Sequence, residues 1–291
     1  MRKYERNYLR QINIDKLKIC YRQPDELWNE IYNKYEENAY IKKYEYEMLL
    51  RVKEEDMMQL QIYTDNTFIG TLTLNNSNKY KGLCFFTFDN RNLYCDWTEC
   101  YDIGKHNYIF LWDEIADDLG LEYNSLTEVE VAFDTTSNII SKTLKLIKNF
   151  EYEMYVNGKK VDDKKIENYF ECYSRTRTKK DKHPTLYFAM KKDGAPKMRI
   201  YNKTEEIKDN NNRKEYINYW NGFGKKTTYR CEVVIKSNYF KEYCEKNNID
   251  MYFSSILQDE DMLIALWYDF VYRLVHFKDK QGNEVSIIDL I

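Results

Sequence analysis

The sequence has few of the residues that interrupt regular structure: three prolines and nine glycines in 291 residues. Hydrophobic residues make up 43% of the chain and aromatic residues 16%. Disordered segments have low hydrophobicity and are enriched in proline and small polar residues, and this chain has the opposite character. The composition therefore excludes a disordered protein and favours one large or two modest globular domains.

Long apolar runs are also missing. The longest mostly apolar stretch, 263–277, contains Asp269 and Arg273 and is shorter than the ~20 residues that a membrane span needs. The first residues are basic and lack the apolar stretch of a secretory signal. We therefore expect a cytoplasmic protein with no membrane partner.

Cysteine and histidine do not occur at metal-binding spacings. The seven cysteines include no C-x-x-C pair, and the three histidines lie far apart in the sequence. A zinc site built from local cysteine or histidine pairs is therefore not expected. We expect the cysteines to be reduced thiols. The net charge of −3 gives no overall attraction to nucleic acid.

One stretch, 173–183, departs from this charge balance. It reads "YSRTRTKKDKH" and contains one acidic residue. Its composition fits either a solvated loop or a loop that contacts phosphates. The basic residues are Arg175, Arg177, Lys179, Lys180 and Lys182.

The order of predicted elements favours an α+β fold with a large, mainly antiparallel sheet and helices packed on it. In the first half we predict a strand over 14–22, a helical stretch over 25–52 and a β-meander over 57–97. A helix near 107–119 is predicted to end at Gly120.

The second half continues the alternation of strands and helices. A strand over 127–134 precedes a helical segment, and Asn157-Gly158 predicts a hairpin turn. Two further strand arms surround the turn residues Asp193-Gly194, and another strand follows over 227–236. We predict a last helix near 258–277.

Acidic residues share one face of the strand 127–134. Glu130 and Asp134 point the same way but lie ~13 Å apart along an ideal strand, which is long for one ion. A solvent-facing acidic surface is the alternative reading. If the strand 227–236 is a neighbour, Glu130 and Glu232 meet, and two such carboxylates need a cation. Oxygen ligands favour Mg²⁺ or Mn²⁺ over Zn²⁺.

The segment "MRIYNKTEE" at 198–206 places a tyrosine between two cations. Arg199, Tyr201 and Lys203 share a face if the strand persists that far. Cations at these positions stabilise a phenolate and can hold a phosphate. A phenol with a pKa of ~10 is a weak nucleophile without such help. The chain has 28 tyrosines, so an ordinary packing role is the alternative.

Three segments, in this order, resemble the replication-initiation-factor family. "EVEVAFD" resembles its "R-l-D-l-a-i-D" strand, and "TLYFAMKKDGAPKMRIYNKTEE" resembles its "l-Y-x-G-s-r-k-S … x-R-i-Y-x-K-x-x-E" hairpin. "YRCEVVIK" resembles its "x-R-x-E-l-x-l-k" strand. The family comprises Rep proteins of rolling-circle plasmids, phages and integrative elements, including the Rep_trans branch. The resemblance covers about residues 125–240, a little under half of the chain.

The resemblance implies a site-specific nicking enzyme with an HUH/Rep-like catalytic core in which carboxylates replace the metal-binding histidines. Its metal ligands fall on Glu130, Asp134 and Glu232, and the metal would be Mg²⁺ or Mn²⁺. Its nucleophile falls on Tyr201, with Tyr187 as a rival in the other arm of the hairpin.

The chain departs from the family pattern at three places. Glu128 stands where the family has arginine, and Glu130 stands where aspartate is usual. The "G-s-r-k-S" turn is replaced by residues 189–194. The first two departures change the ligand geometry that the family pattern implies, because a glutamate side chain is longer than that of aspartate, and the third replaces the turn to which the resemblance assigns a phosphate contact.

From the resemblance we expect a rolling-circle replication initiator that nicks origin DNA through a 5′-phosphotyrosine intermediate. Residues 121–291 would form the catalytic core with the C-terminal helix. Residues 1–120 would belong to the same fold and take part in DNA recognition, together with the basic loop 173–183. Arg199 and Lys203 would hold the phosphate oxygens.

The expected partners are origin DNA, single-stranded or extruded as a hairpin, with a host helicase, a polymerase and a second copy of the chain. Two alternatives stay open at this stage. A relaxase of a conjugative or integrative element would use the same chemistry. A non-catalytic DNA-binding protein would use the same scaffold without needing the acidic residues.

Overall fold

The computed structural model describes residues 12–43, 45–94, 107–149, 151–162, 171–173, 184–189, 194–211, 213–257, 259–287 and 289. Over these residues the fold is α+β, with a large and mainly antiparallel sheet. The predicted fold class is confirmed at this level. Among the helices described, none is long and apolar enough to cross a membrane.

The elements follow one another along the chain with short connections. In the first half they are β1 (Ile12–Arg22), α1 (Asp25–Lys34), β2 (Tyr40–Lys42), β3 (Glu47–Lys53), β4 (Met57–Thr64), β5 (Thr67–Asn75), β6 (Leu83–Phe88), α2 (Asn90–Tyr94), α3 (Asn107–Asp118) and β7 (Glu122–Thr135). In the second half they are α4 (Ile139–Lys148), β8 (Tyr152–Val156), β9 (Lys159–Lys160), β10 (Glu171–Tyr173), β11 (Thr185–Ala189), β12 (Lys197–Asn202), α5 (Lys203–Asp209), α6 (Tyr216–Trp220), β13 (Tyr229–Lys236), α7 (Ser237–Asn247), α8 (Phe253–Leu257), α9 (Glu260–Leu274), β14 (Val275–Asp279) and β15 (Glu284–Val285).

The strands form two sheets. The large sheet has the order β10-β11-β12-β13-β7-β1-β6-β5-β4-β3-β2, and the small sheet has the order β15-β14-β8-β9. Strand β12 pairs antiparallel with both β11 and β13. The strands from β2 to β6 pair antiparallel in sequence order, as a meander.

The chain divides into two compact units that interleave along the sequence. Unit 1 comprises Met1–Ile14, Glu130–Tyr243 and Asp259–Ile291, and unit 2 comprises Asp15–Val129 and Cys244–Gln258. Residue 120, where the sequence suggested a division, lies inside unit 2.

In unit 1, one sheet face is apolar and is covered by α9. The buried side chains Phe133, Ile200 and Val233 belong to this face by the alternation of their strands. The ring of Trp267 on α9 lies 5.3 Å from that of Phe133, and its indole N–H donates to the carbonyl of Cys231 at 3.3 Å. Burial of such side chains contributes roughly 1.5–3 kcal/mol each, so this face stabilises the unit. Alternation sends the polar residues of the same strands to the other face.

In unit 2, the meander packs its inward side chains against α3. The ring of Trp112 stacks on Phe86, and the Trp112 N–H donates to the hydroxyl of Tyr21 at 2.9 Å. Gly70 is required beside this pair, because a Cβ at that position would lie 2.4 Å from the Phe86 ring. The buried aromatic rings of the meander therefore serve the core.

The predicted helix over 25–52 is wrong beyond Lys34. Asn38 adopts a left-handed φ of 66°, and the chain then forms β2 and β3. Strand β3 pairs with β4, which buries Met48 and Leu50. The apolar spacing in this stretch was compatible with a helix, but pairing with a neighbouring strand buries the same residues. Burial in the sheet therefore decides the structure here and not the local helical pattern.

The last helix is also shorter than predicted. It ends at Leu274, and Val275–Asp279 continues as a strand that pairs antiparallel with β8. Two of the turn predictions are confirmed, whereas Asp193 of the third lies outside the described residues. Asn157 and Gly158 have φ values of 54° and 72° at the tip of the β8–β9 hairpin. Gly120, at φ 66°, follows α3, where the N–H of Leu121 bonds to the carbonyl of Ala116.

Candidate active site

The polar face of β12 and β13 brings the predicted catalytic residues together. In the antiparallel register Arg199 lies opposite Glu232, and Tyr201 lies opposite Arg230. Residues directly opposite one another share a face, so all four side chains project from the same side of the sheet. Their sequence neighbours Met198, Ile200 and Cys231 are buried on the apolar side, which orients the strands.

Tyr201 hydrogen-bonds to a buried carboxylate. Its hydroxyl donates to Oε2 of Glu232 at 2.9 Å, and Glu232 is fully buried. The ammonium of Lys203 lies 3.5 Å from the same phenol oxygen. The carboxylate can accept the phenol proton as a general base, and the cation beside the oxygen stabilises the negative charge that then develops there.

Lys203 reaches Tyr201 from a helix start. The strand ends at Asn202, whose side chain accepts the N–H of Glu205 at 3.2 Å and caps α5. Lys203 is therefore the first helical residue, although the sequence suggested a strand position. Its buried ammonium forms an ion pair with Glu206 at 2.7 Å. The side chain of Lys203 is only 1% exposed, so protein groups surround its ammonium.

Arg199 connects two carboxylates. Its guanidinium forms an ion pair with Glu232 and lies 3.4 Å from Oε2 of Glu130 on β7. Burial by itself would lower the pKa of Arg199, but the charge of Glu232 and the hydrogen bond to it raise that pKa above its ordinary value. Arg199 is thus a permanent cation, and its side chain stays 37% exposed.

Asp134 has other partners. Its two carboxylate oxygens accept from Nε and Nη2 of Arg230, each at 2.7 Å, and Oδ2 also accepts from the amide of Asn221 at 3.0 Å. Both members of the ion pair are fully buried. The structure therefore places Asp134 in an ion pair with Arg230, whereas Glu130 and Glu232 share Arg199.

The rival nucleophile Tyr187 lies on the same face. It sits opposite Arg199 in the β11–β12 register, and its side chain is half-buried. The five cations of the stretch 173–183 (Arg175, Arg177, Lys179, Lys180 and Lys182) lie outside the described residues. Of the other predicted site residues, Arg199, Tyr201, Lys203, Glu130 and Glu232 form one cluster, which we call the Tyr201 cluster.

An ion pair in unit 1 and a buried carboxylate in unit 2 did not emerge from the sequence. Arg230 lies two residues before Glu232 on β13, and its bidentate pair with Asp134 depends on strand order. The sequence signal was an arginine on the same strand face as a glutamate, which many surface strands share. A further buried carboxylate, Asp15 on β1, belongs to unit 2, where it accepts the hydroxyl of Tyr94 at 3.0 Å.

Comparisons of the chain with protein-family models, with curated proteins and with solved structures gave no match.

Proposed function

We propose that this protein is a DNA strand-transfer enzyme that nicks DNA with Tyr201 as the nucleophile. The observation that carries the proposal is the hydrogen bond from the Tyr201 hydroxyl to the buried carboxylate of Glu232, with Lys203 beside the phenol oxygen. A tyrosine in a purely structural role needs one hydrogen-bond partner, whereas here an acceptor and cations converge on one phenol.

The proposed step is a transesterification at phosphorus. The phenol proton passes to Glu232, and the phenolate oxygen forms a bond to the phosphorus of a DNA phosphodiester. The bond from phosphorus to the 3′ oxygen breaks, and that oxygen takes a proton from solvent. The products are a 5′-phosphotyrosine and a free 3′-hydroxyl, and the phosphodiester energy is kept for rejoining the strand.

Two cations are available for the charge that develops on the phosphate. Arg199 and Lys203 lie on either side of Tyr201, at 5.9 Å and 5.7 Å from the ring centroid. The Nε of Arg199 is buried without a hydrogen-bond partner among the described residues, whereas the side chain as a whole is more than one-third exposed. Arg199 can therefore turn toward a bound phosphate, where a guanidinium binds two oxygens at once.

A divalent metal belongs to the proposal through the family resemblance, and the donor chemistry fits. Glu130 and Glu232 present carboxylate oxygens, which are the ligands that Mg²⁺ and Mn²⁺ take, and both contact a single cation, Arg199. When bound, such an ion supplies charge stabilisation to the phosphodiester. Asp134 is engaged by Arg230 and is given a positioning role.

In its biological setting we propose a rolling-circle replication initiator. The free 3′-hydroxyl would prime a polymerase, and origin DNA would be the substrate, with a host helicase as partner. A relaxase would form the same covalent product, so the cluster supports strand transfer in general. The replication assignment rests on the resemblance of the three segments.

The test is the formation of a covalent protein–DNA adduct. Labelled single-stranded oligonucleotides that tile the coding sequence and its flanking DNA would be incubated with the protein and Mn²⁺ and run on denaturing gels. The wild-type protein should form an adduct with some of them, and mass spectrometry should locate the phosphate on Tyr201. Tyr201→Phe should form none, because phenylalanine lacks the attacking oxygen.

Tyr187→Phe is the matched control, since Tyr187 lies on the same face of the adjacent strand. It should form the adduct as the wild type does. If Tyr201→Phe still reacts and Tyr187→Phe does not, the nucleophile is Tyr187. If the wild type forms no adduct with any oligonucleotide, the enzymatic proposal fails, and a non-catalytic DNA-binding role becomes the better reading.

A further inference from the structure

The segment between α5 and β13 combines positive charge with exposed aromatic surface. Residues 213–226 read "RKEYINYWNGFGKK", with four cations against one acid in a chain whose net charge is −3. We call these residues the α6 segment. Tyr219 is 76% exposed, the most exposed of the large hydrophobic side chains described. Lys225 and Lys226 are exposed as well.

The base of the α6 segment is held firmly. Ile217 is fully buried, and the Trp220 indole N–H donates to the side chain of Asn13 at 2.7 Å. The Thr228 hydroxyl donates to Asn218 at 2.8 Å. An exposed ring on an anchored turn loses little freedom when it binds a ligand, which lowers the cost of binding.

The same segment is tied to the Tyr201 cluster through two contacts. Asn221 donates to Asp134, which pairs with Arg230 directly opposite Tyr201 in the register. At the other end the carbonyl of Thr228 accepts the N–H of Lys203 at 2.9 Å. The exposed ring and the cations therefore lie in the connection between β12, which carries Tyr201, and β13, which carries Glu232.

We propose that the α6 segment binds single-stranded DNA, with the ring of Tyr219 stacked on an unpaired base and Lys225 and Lys226 on phosphates. An aromatic ring beside cations matches the two surfaces of a single strand, the base face and the backbone charge. Duplex DNA offers no such face, because its bases are already stacked. This inference deepens the proposed function, on which it rests, by naming the surface that would hold the single strand.

The test is equilibrium binding of the full chain to a fluorescein-labelled oligo(dT) of 15 nucleotides. Fluorescence anisotropy, recorded without divalent metal, measures the bound fraction. Tyr219→Ala should weaken binding about tenfold, since stacking on one base contributes that much or more. Tyr219→Phe should bind like the wild type, because it keeps the ring. Circular dichroism should show that all variants fold, as the ring is exposed.

Tyr40→Ala is the matched control, because Tyr40 is 61% exposed in unit 2 and should have no effect. The double variant Lys225→Gln with Lys226→Gln should lower the slope of log K against log salt by about 1.4. The inference is overturned if Tyr219→Ala binds as the wild type does or if Tyr40→Ala loses as much. It is also overturned if oligo(rU) or duplex DNA binds more tightly than oligo(dT) in a manner that depends on Tyr219.

The two proposals fail in different ways. Tyr201→Phe should keep full affinity for oligo(dT) while losing the covalent adduct. If the wild type forms no adduct but Tyr219-dependent binding is present, strand transfer fails and the binding surface stands. If the adduct forms normally with Tyr219→Ala and binding is unchanged, the binding surface fails and strand transfer stands.

Discussion

Unit 1 contains two arginine–carboxylate pairs on one sheet face, and they differ in how completely they are enclosed. Arg230 and Asp134 are fully buried, joined by two hydrogen bonds, and supported by Asn221. Arg199 contacts both Glu232 and Glu130, is partly exposed, and leaves its Nε without a hydrogen-bond partner among the described residues. In the first arrangement, both carboxylate oxygens of Asp134 accept hydrogen bonds from Arg230, which fixes the two side chains relative to each other. The second is open to solvent on the Arg199 side, while its carboxylate partner Glu232 is fully buried.

This difference assigns the two pairs to separate tasks. A fully enclosed pair holds strands in register, since breaking it leaves an uncompensated buried charge. In the second pair, Arg199 is partly exposed and the carboxylate of Glu232 accepts a hydrogen bond from Tyr201, so this pair is the one that a ligand can reach. The sequence grouped Asp134 with Glu130 and Glu232 because Glu130 and Asp134 share a strand face and because the family resemblance implies metal ligands at all three.

The largest effect is expected from breaking the enclosed pair. Arg230→Met should lower the free energy of unfolding by about 3–5 kcal/mol, because Asp134 stays buried without a countercharge. Denaturant unfolding measures this. The double variant Arg230→Met with Asp134→Leu should recover most of the loss, because it removes both charges. If Arg230→Met lowers the free energy of unfolding by less than Arg199→Met does, the Arg199 pair and not the Arg230 pair is the one that holds the strands in register.

A carboxylate of unit 2 that has no arginine partner among the described residues extends the comparison. Asp113 accepts a hydrogen bond from the hydroxyl of Tyr252 at 3.0 Å. Burial raises the pKa of Asp113 to about 6. The hydrogen bond from Tyr252 offsets part of this rise, and the charge of Asp117 adds to it. Because the pKa of Asp113 is higher in the folded state, the folded protein holds this proton more tightly. Stability should therefore fall as the pH rises from about 4 to about 6, by about 1–3 kcal/mol.

Chemical unfolding at several pH values measures this change in stability. Asp113→Asn should flatten the stability profile between pH 4 and pH 6, because asparagine does not ionise. A matched variant on the same helix, Asp117→Asn, should keep most of the fall. An Asp113→Asn profile as steep as that of the wild type would show that the fall comes from other groups.

The smallest stability effect is expected at the partly exposed pair. Arg199→Met should cost about 1–2 kcal/mol, because Arg199 is partly exposed and Glu232 keeps the hydrogen bond from Tyr201. It should also raise the stabilisation by Mn²⁺ above that of the wild type, because Glu130 and Glu232 lose their shared cation. Thermal melting with and without Mn²⁺ measures both effects.

Glu130→Gln, added to Arg199→Met, is the control, and it should remove most of the extra stabilisation by Mn²⁺. Absence of any Mn²⁺ effect in the Arg199→Met variant would argue against a metal at these carboxylates. The enclosed pair should not respond to Mn²⁺, so Asn221→Ala should leave the metal effect unchanged while it removes one bond from Asp134.

Much of the local structure was predictable because it depends on neighbours in sequence. Gly120 ends α3 and Asn157-Gly158 turns a hairpin, since each requires a positive φ that these residues adopt easily. The apolar face of β13 followed from alternation. The stretch after Lys34 was mistaken for helix because its apolar residues fit two periods, and pairing with β4 selected the strand.

The candidate site was predictable only in part. Arg199 and Tyr201 sit two residues apart on one strand, so a common face followed from the sequence. The contact of Tyr201 with Glu232 spans 31 residues and depends on the β12–β13 register. Nothing in the spacing of Asp134 could show that Arg230 would engage it.

The sequence by itself determined the alternating faces of these strands, the turn positions and the presence of a tyrosine between two cations, because each depends on short-range geometry. Only the tertiary structure decided which carboxylate meets which arginine, where Lys203 points and which exposed ring stands beside the cluster. Strand order and register bring together residues that are distant in sequence, and a one-residue slip of register would move every side chain of a strand to the other face.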